Sequence, residues 1–268
     1  MILFQNNVPL LLAFKEIWRN KVRFITISAV IGLITLLVLF LAGLAEGLGN
    51  GNKEYIEKLN ADLILFQEQA DLSIGASQFG RSLMNDISRI PGVEEAGAIG
   101  NSGVFIDYEG LEEDFSATMF GVEPGKPGEI PALEGRQLSS LRANEAVVDN
   151  TFATRTGLGV GDVFTVKATQ GTVDERYDLA IVGVSDGRQY FIQPSIVVPL
   201  LTWDRIRTKP NPNNAQTELV FNIVGVQLEN PDDLDGMTAV IQERLSSVEA
   251  VDRVTAYEAS PGYSAQQS

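Results

Sequence analysis

The sequence contains no cysteine and no histidine. The first absence excludes disulfides, thiolate nucleophiles and Cys-built zinc sites. The second removes the side chain that most often serves as general base and metal ligand near neutral pH. A cysteine-free chain also fits an oxidising compartment. Positive charge is scarce as well, with 20 Lys and Arg against 35 Asp and Glu and a formal net charge of −15. Nucleic-acid partners are therefore not expected, because phosphate backbones select basic surfaces. Apolar residues make up 44% of the 268 positions, enough for a folded core of one large domain or two small ones beside a membrane anchor.

The scarce positive charge is concentrated in one place. Lys15, Arg19, Lys21 and Arg23, with Glu16 as the sole acid among them, precede the apolar run from Phe24 to Ala45. That run, FITISAVIGLITLLVLFLAGLA, holds no charged residue. About 22 helical residues at a rise of about 1.5 Å each cross a hydrocarbon core about 30 Å thick. A cleaved signal peptide is the competing reading, and Gly43-Leu44-Ala45 resembles a cleavage site, but signal cores run only about 7–15 residues. A transmembrane helix over 24–45 is expected, with residues 1–23 a cytoplasmic amphipathic segment, since basic flanks stay inside. In that segment Asn7 and Pro9 read as a helix start, and Leu10, Leu11, Phe14, Ile17 and Trp18 recur at helical spacing. An inward extension of the spanning helix is the alternative.

Ser28 and Gly32 are four residues apart in the span, and Gly43 and Gly47 repeat that spacing. Small residues in this pattern allow close helix–helix approach in lipid, so the four form a candidate packing or dimer face. Glu46 stands at the outer end of the span. It reads either as a solvated interfacial charge or as a ligand-contacting carboxylate at the bilayer surface.

An α+β domain outside the cytoplasm is expected over 50–260. Two strand–helix–strand units frame it, in a porter-like pattern. The first has a strand at Ala61–Phe66, a helix at Phe79–Arg89 and a strand from Val93 towards Phe105. The second has a strand at Leu219–Leu228, a helix at Asp232–Ser247 carrying Ile241 and Leu245 on its apolar face, and a strand at Val251–Tyr257. Asn230-Pro231-Asp232 supplies its turn and cap. Between the units, about 105–215, the segments Glu145–Asp149, Val163–Ala168, Tyr177–Val184 and Ser195–Pro199 read as strands of a β-rich subdomain. Gly157-Leu158-Gly159-Val160-Gly161-Asp162 lacks the lysine and hydroxyl of a phosphate loop and precedes a strand, so it reads as a turn. Lys209–Asn214 reads as a surface loop and Glu112-Glu113-Asp114 as a solvated charge run. Asp232 and Asp233 suit a helix N-terminus, and no acidic group has EF-hand spacing. No catalytic constellation and no metal site is read.

The order of these parts resembles the FtsX/MacB-like permeases of ABC transporters. The residues that carry the resemblance are FKEIWRNKVRF (14–24), GLAEGLGN (43–50), EGRQLSSLRANEAVVDNTFATRTGLGVGDVFTV (134–166) and IVGV (181–184). Within that family, Ala42-Gly43-Leu44-Ala45, Asn60-Ala61-Asp62 and Pro261-Gly262-Tyr263-Ser264-Ala265-Gln266 look most like the haem-efflux and DevC-type permeases. The resemblance implies a non-enzymatic permease that dimerises in the cell membrane and couples export of a hydrophobic small molecule, haem included, to ATP hydrolysis by a separate cytoplasmic ATPase. It binds no cofactor of its own, and this sequence indeed carries no Walker motif. The family has three further spanning helices after the outer domain, so the chain reads as an N-terminal half, with 261–268 leading towards them. Lipoprotein or peptide-antibiotic export is the alternative within the family. A membrane-anchored binding or sensing domain without transport is the alternative outside it. Were haem the cargo, Glu46, Tyr55 or a methionine would be the available iron ligands, which makes Glu46 and Tyr55 the candidate substrate contacts.

Overall fold

A computed structural model describes residues 18–51, 54–107, 115–171, 173–190, 193–209 and 218–259, with the backbone alone given for 44–51. The helix start at Asn7 and Pro9, the Glu112–Asp114 run, most of the Lys209–Asn214 loop and the 261–268 link lie outside them. The chain divides into two compact units, Met1–Gly47 and Leu48–Ser268.

The first unit is dominated by helix α1, Lys21–Gly51. Its segment Lys21–Gly43 has a mean hydropathy of 2.8 and none of it is buried within the protein. Large apolar side chains from Phe24 to Leu41 are exposed along it. Exposure of this kind is unfavourable in water and is what a lipid-facing helix requires, because lipid offers backbone groups no partners outside the helix. Both threonine hydroxyls within the apolar run are handled locally. Thr26 Oγ1 donates to Val22 O at 2.8 Å and Thr35 Oγ1 to Ile31 O at 2.9 Å, so neither enters the apolar medium unbonded.

The second unit begins with the single-turn helix α2, Glu54–Glu57, and strand β1, Leu63–Gln67. Next come β2 (Phe79–Gly80), α3 (Ser82–Ile87), the 15-residue β3 (Val93–Asp107) and β4 (Phe115–Val122). The middle of the domain contains β5 (Glu134–Gly135), β6 (Glu145–Asp149), α4 (Asn150–Thr156), β7 (Val163–Gln170), β8 (Val173–Ser185), β9 (Ser195–Pro199) and α5 (Leu200–Ile206). It closes with β10 (Val220–Phe221), β11 (Ile223–Leu228), α6 (Leu234–Arg244), β12 (Val248–Asp252) and α7 (Arg253–Glu258).

Ten of these strands share one sheet. Its order is β12-β1-β11-β3-β4-β9-β6-β8-β5, and β7 pairs with both β3 and β8. The pairing path β3-β4-β9-β6-β8-β7 therefore returns to β3 and closes a six-stranded ring. Only the β4–β9 and β6–β8 pairs are parallel. Five of the six ring strands lie within 105–215, the expected β-rich subdomain. Strand β3 pairs with β11 through its first half and with β4 through its second, welding the ring to the strand–helix–strand layer.

The core lies on both faces of this sheet. Leu63 and Leu65 point into one apolar cluster, while Ile64 and Phe66 point into the other. Ile196 and Val198 against Val197 repeat the alternation. This two-sided burial explains why ADLILF and SIVVP are continuously apolar rather than alternating. Trp203 of α5 sits against β3 and β4 where two glycines leave room. A Cβ on Gly121 would lie 2.3 Å from Trp203 Cβ, and one on Gly100 2.5 Å from the indole ring.

Several expected elements are redrawn. Phe79–Gly80 is a strand paired with Val220–Phe221, so α3 begins only at Ser82. The strand expected over Leu219–Leu228 divides into β10 and β11, because Asn222 between them turns its amide onto Ile74 O and Ser77 O. The cap of α6 is Asp233 rather than Asp232, without a side-chain cap bond. The last strand ends at Asp252, where the segment expected to continue to Tyr257 becomes α7. The Asp252 carboxylate accepts from Thr255 N at 2.9 Å and starts the helix there. The glycine-rich segment 157–162 is the expected turn, with Gly157 at φ 72° ending α4 and Gly161 N donating to Ile181 O.

Candidate functional site

A cleft of about 440 Å³ forms where residues far apart in sequence converge. Lys58 and Leu59 follow α2, Lys126 and Glu129 belong to the turn after β4, Arg188 follows β8, and Arg253 opens α7. The topology brings them together because β1 is flanked by β11 and β12, which places the first and last segments of the domain side by side. Arg253 Nη1 donates to Leu59 O at 3.2 Å and ties those two segments directly.

Behind the cleft is a connected polar network. The Asp186 carboxylate accepts from Arg188 Nε at 2.8 Å and pairs with Lys58 Nζ at 3.0 Å, and Lys58 Nζ also donates to Gly187 O at 2.7 Å. Burial alone would raise the Asp186 carboxyl, but the Arg188 and Lys58 charges outweigh it and hold the group below its usual range. Arg188, itself buried, donates through Nη1 to Lys58 O, while its own carbonyl accepts from the Ser195 hydroxyl. Deeper still, Asp149 is fully buried. Its carboxylate accepts from Phe152 N at 2.7 Å and Ser195 N at 3.1 Å, capping α4 and gripping β9 at once. Burial pushes its carboxyl up to about 6, against partial relief from those backbone donors.

At the cleft surface Lys126 pairs with Glu95 at 2.6 Å. Glu129 is held by Gly125 N at 2.7 Å and Leu138 N at 3.2 Å. Four cations and two lining carboxylates give a polar, positively biased recess in an otherwise acidic chain, suited to holding a polar or anionic group. Among the described residues that line it there is no nucleophile–base pair. Among the described residues no group of three or more acidic side chains is placed to hold a metal ion.

The residues singled out from the sequence fall elsewhere. Tyr55, expected as a substrate contact, is a core side chain with no solvent exposure. Its ring stacks on Phe120 at a centroid distance of 3.5 Å, nearly parallel, and its hydroxyl has no partner among the described residues. Burial raises that phenol well above its usual range. Glu46 and Gly47 lie in the described backbone of α1. Ser28, Gly32 and Gly43 are exposed on the same helix, and nothing stands within 4 Å of a Cβ built on either glycine. The cleft residues were not legible because Lys58, Lys126, Arg188 and Arg253 share no local motif. Only the turn Asp186-Gly187-Arg188 carried a signal, as a charged pair around a glycine.

Comparison with known proteins places this architecture. A protein of Staphylococcus epidermidis named as a hemin transport system permease, HrtB, is 35% identical over 79 residues, covering 30% of this chain and 23% of that protein. The protein of the same name from Staphylococcus haemolyticus is 33% identical over 79 residues, covering 30% of this chain and 22% of its own length. The chain thus matches about a quarter of the length of these relatives. The extracellular domain of the noncanonic ABC-type transporter YknZ, from Gram-positive bacteria, shares 15% identity at a TM-score of 0.49, covering 71% of this chain and 99% of that one. The periplasmic region of MacB from Actinobacillus actinomycetemcomitans shares 11% at a TM-score of 0.49, covering 73% and 90%. The sequence model of the MacB-like periplasmic core domain matches residues 24–257, taking in both the spanning helix and the domain. The chain belongs to the MacB-like periplasmic core domain family, in keeping with its FtsX/MacB-like ABC permease resemblance.

Proposed function

We propose that the chain forms the N-terminal part of the permease subunit of an ABC-type exporter. The observation that carries this reading is the continuity of a long apolar helix, none of it buried within the protein, with a MacB-like domain in one polypeptide. In this reading the basic residues Lys21 and Arg23 keep the N-terminus in the cytoplasm and the domain lies outside. ATP is hydrolysed by a separate cytoplasmic ATPase, and two permeases pair through the face bearing Ser28, Gly32, Gly43 and Gly47. The exported cargo is a hydrophobic small molecule. Haem is the first candidate, supported by the partial likeness to HrtB, with Glu46 as the contact at the membrane surface. Lipoprotein or peptide-antibiotic export is the competing cargo class, separated by asking which compound stimulates the partner's ATPase.

The test is isolation of the native protein from its own membranes with an antibody to the domain, followed by mass measurement and identification of co-purifying proteins. A mass well above 29.1 kDa together with an ATPase subunit is expected. A mass near 29.1 kDa without an ATPase overturns the proposal in favour of an anchored binding domain, a reading the polar 440 Å³ cleft would then support. The haem reading is tested separately. Hemin titration of the purified protein should weaken at least tenfold in Glu46→Ala, and unchanged affinity removes Glu46 from the site.

A further inference from the structure

The polar cleft draws its exposed cations from three separate segments: Lys58 after α2, Lys126 in the turn after β4, and Arg253 at the start of α7. Their side chains are open to solvent, that of Lys58 at 36% and that of Lys126 at 45%. The segments are also held close together. The buried Arg188 donates through Nη1 to Lys58 O, and Arg253 Nη1 donates to Leu59 O at 3.2 Å. Two guanidinium groups therefore grip consecutive peptide units, whose Cα atoms are about 3.8 Å apart.

The turn carrying Lys126 is inlaid over a pair of glycines. Gly97 of β3 and Gly225 of β11 are direct partners in the sheet. A Cβ on Gly97 would lie 2.0 Å from Pro127 O and 3.0 Å from Lys126 Cβ. One on Gly225 would lie 3.3 Å from both Pro127 Cβ and Ala61 Cβ. With no side chain at either position, the turn lies flat on the two strands beside Ala61, close in sequence to Lys58. Glu129 locks it from within, its Oε2 accepting from Gly125 N and its Oε1 from Leu138 N.

The charges here do not cancel. Asp186 serves both Lys58 and Arg188, and Glu95 serves Lys126. Glu129 is engaged by its own turn, and Arg253 has no ion-pair partner among the described residues. Lys58, Lys126, Arg188 and Arg253 thus outnumber Glu95, Glu129 and Asp186, and the surplus positive charge stands at an exposed side chain.

We propose that this cleft is a binding site for a phosphate group, its oxygens taken by Lys58, Lys126 and Arg253. A tetrahedral anion presents oxygens in three directions and matches cations arriving from three segments, whereas a carboxylate presents two in one plane. The volume of about 440 Å³ falls within the range of small-molecule sites, about 300–1,000 Å³, so the phosphate enters with its substituent. Apart from Leu59 and Pro131 the lining is polar or glycine, so this site is distinct from one for a hydrophobic cargo. The phosphate can arrive on a soluble monoester or in a phospholipid headgroup.

The full chain in detergent micelles is titrated calorimetrically with sodium glycerol 3-phosphate, ionic strength being held constant with sodium chloride. A saturable heat is expected, and sodium acetate should produce none. Lys126→Gln and Arg253→Gln should each weaken the affinity about tenfold through loss of one charge-assisted hydrogen bond. Lys126 is exposed, so its variant should unfold within about two degrees of the wild type, which separates lost binding from lost structure. Dihexanoyl phosphatidylglycerol is then added as competitor. Displacement assigns the site to phospholipid headgroups as well as soluble phosphates, and its absence assigns the site to soluble monoesters. No saturable heat, an equal response to acetate, or an affinity unchanged in either variant overturns the proposal. Each of these results is independent of whether an ATPase co-purifies with the chain.

Discussion

Asp149 is a fully buried carboxylate serving two elements, and it should make stability depend on pH in an unusual direction. Its folded pKa of about 6 exceeds its ordinary value of 3.8, so the folded state holds the proton more tightly. Between those values the folded chain binds more protons than the unfolded one, and this group's contribution is full below 3.8 and is lost as pH rises through about 6. Denaturant titrations of the wild type and Asp149→Asn over this range should show the wild type losing ground steadily with rising pH, by at most about 3 kcal/mol. A flat difference would assign the elevated pKa to the wrong group. Gly121 gives a sharper steric prediction. Gly121→Ala forces a methyl group against Trp203 and should cost about 1–3 kcal/mol, read as a fall of several degrees in unfolding temperature. At this scale the sequence was partly mute. The absence of Cys and His removed whole chemistries at once, whereas the burial of Tyr55 and the convergence of Lys58, Lys126, Arg188 and Arg253 depend on long-range pairing that no local window contains.

Individual elements were legible in proportion to their length and apolar content. The run 24–45 announced α1, and EAVVD and SIVVP coincide with β6 and β9 because both faces of those strands are buried. The helices α4 and α5, seven residues each, passed unseen, since two turns carry too little periodicity to separate from loop. Strand β4 also escaped, its FSATMFGV being diluted by Ser, Thr and Gly. In α7 the β-prone Val254, Thr255 and Tyr257 were overridden by the cap at Asp252. For α1, the lipid-facing assignment has a direct check. Leu36→Arg places a charge amid the exposed apolar side chains of the span and should oppose insertion by about 2.5–3.5 kcal/mol. Alkaline extraction of membranes should then release the variant, while the wild type stays with the pellet.

Considered whole, the domain owes its unity to β3. Its two halves belong to the layer and to the ring, so disruption of either reaches the other. Thermal unfolding of the domain should accordingly be one transition. Emission from Trp203 in a Trp18→Phe background reports on the ring side, and amide exchange at Leu63–Phe66 reports on the layer. Both should lose structure at the same temperature, and separation by more than a few degrees would show two independent folding units.

The adjacency of β1 and β12 has a mechanical consequence. These are the first and last long strands of the domain, they are antiparallel, and Leu63 at the start of one lies opposite Asp252 at the end of the other. A force drawing those two ends apart loads the ladder one rung at a time, beginning at the Leu63–Asp252 pair, rather than loading all rungs together in shear. The domain is therefore built to peel like a zip from that margin, while the closed ring beyond β3 carries none of the early tension.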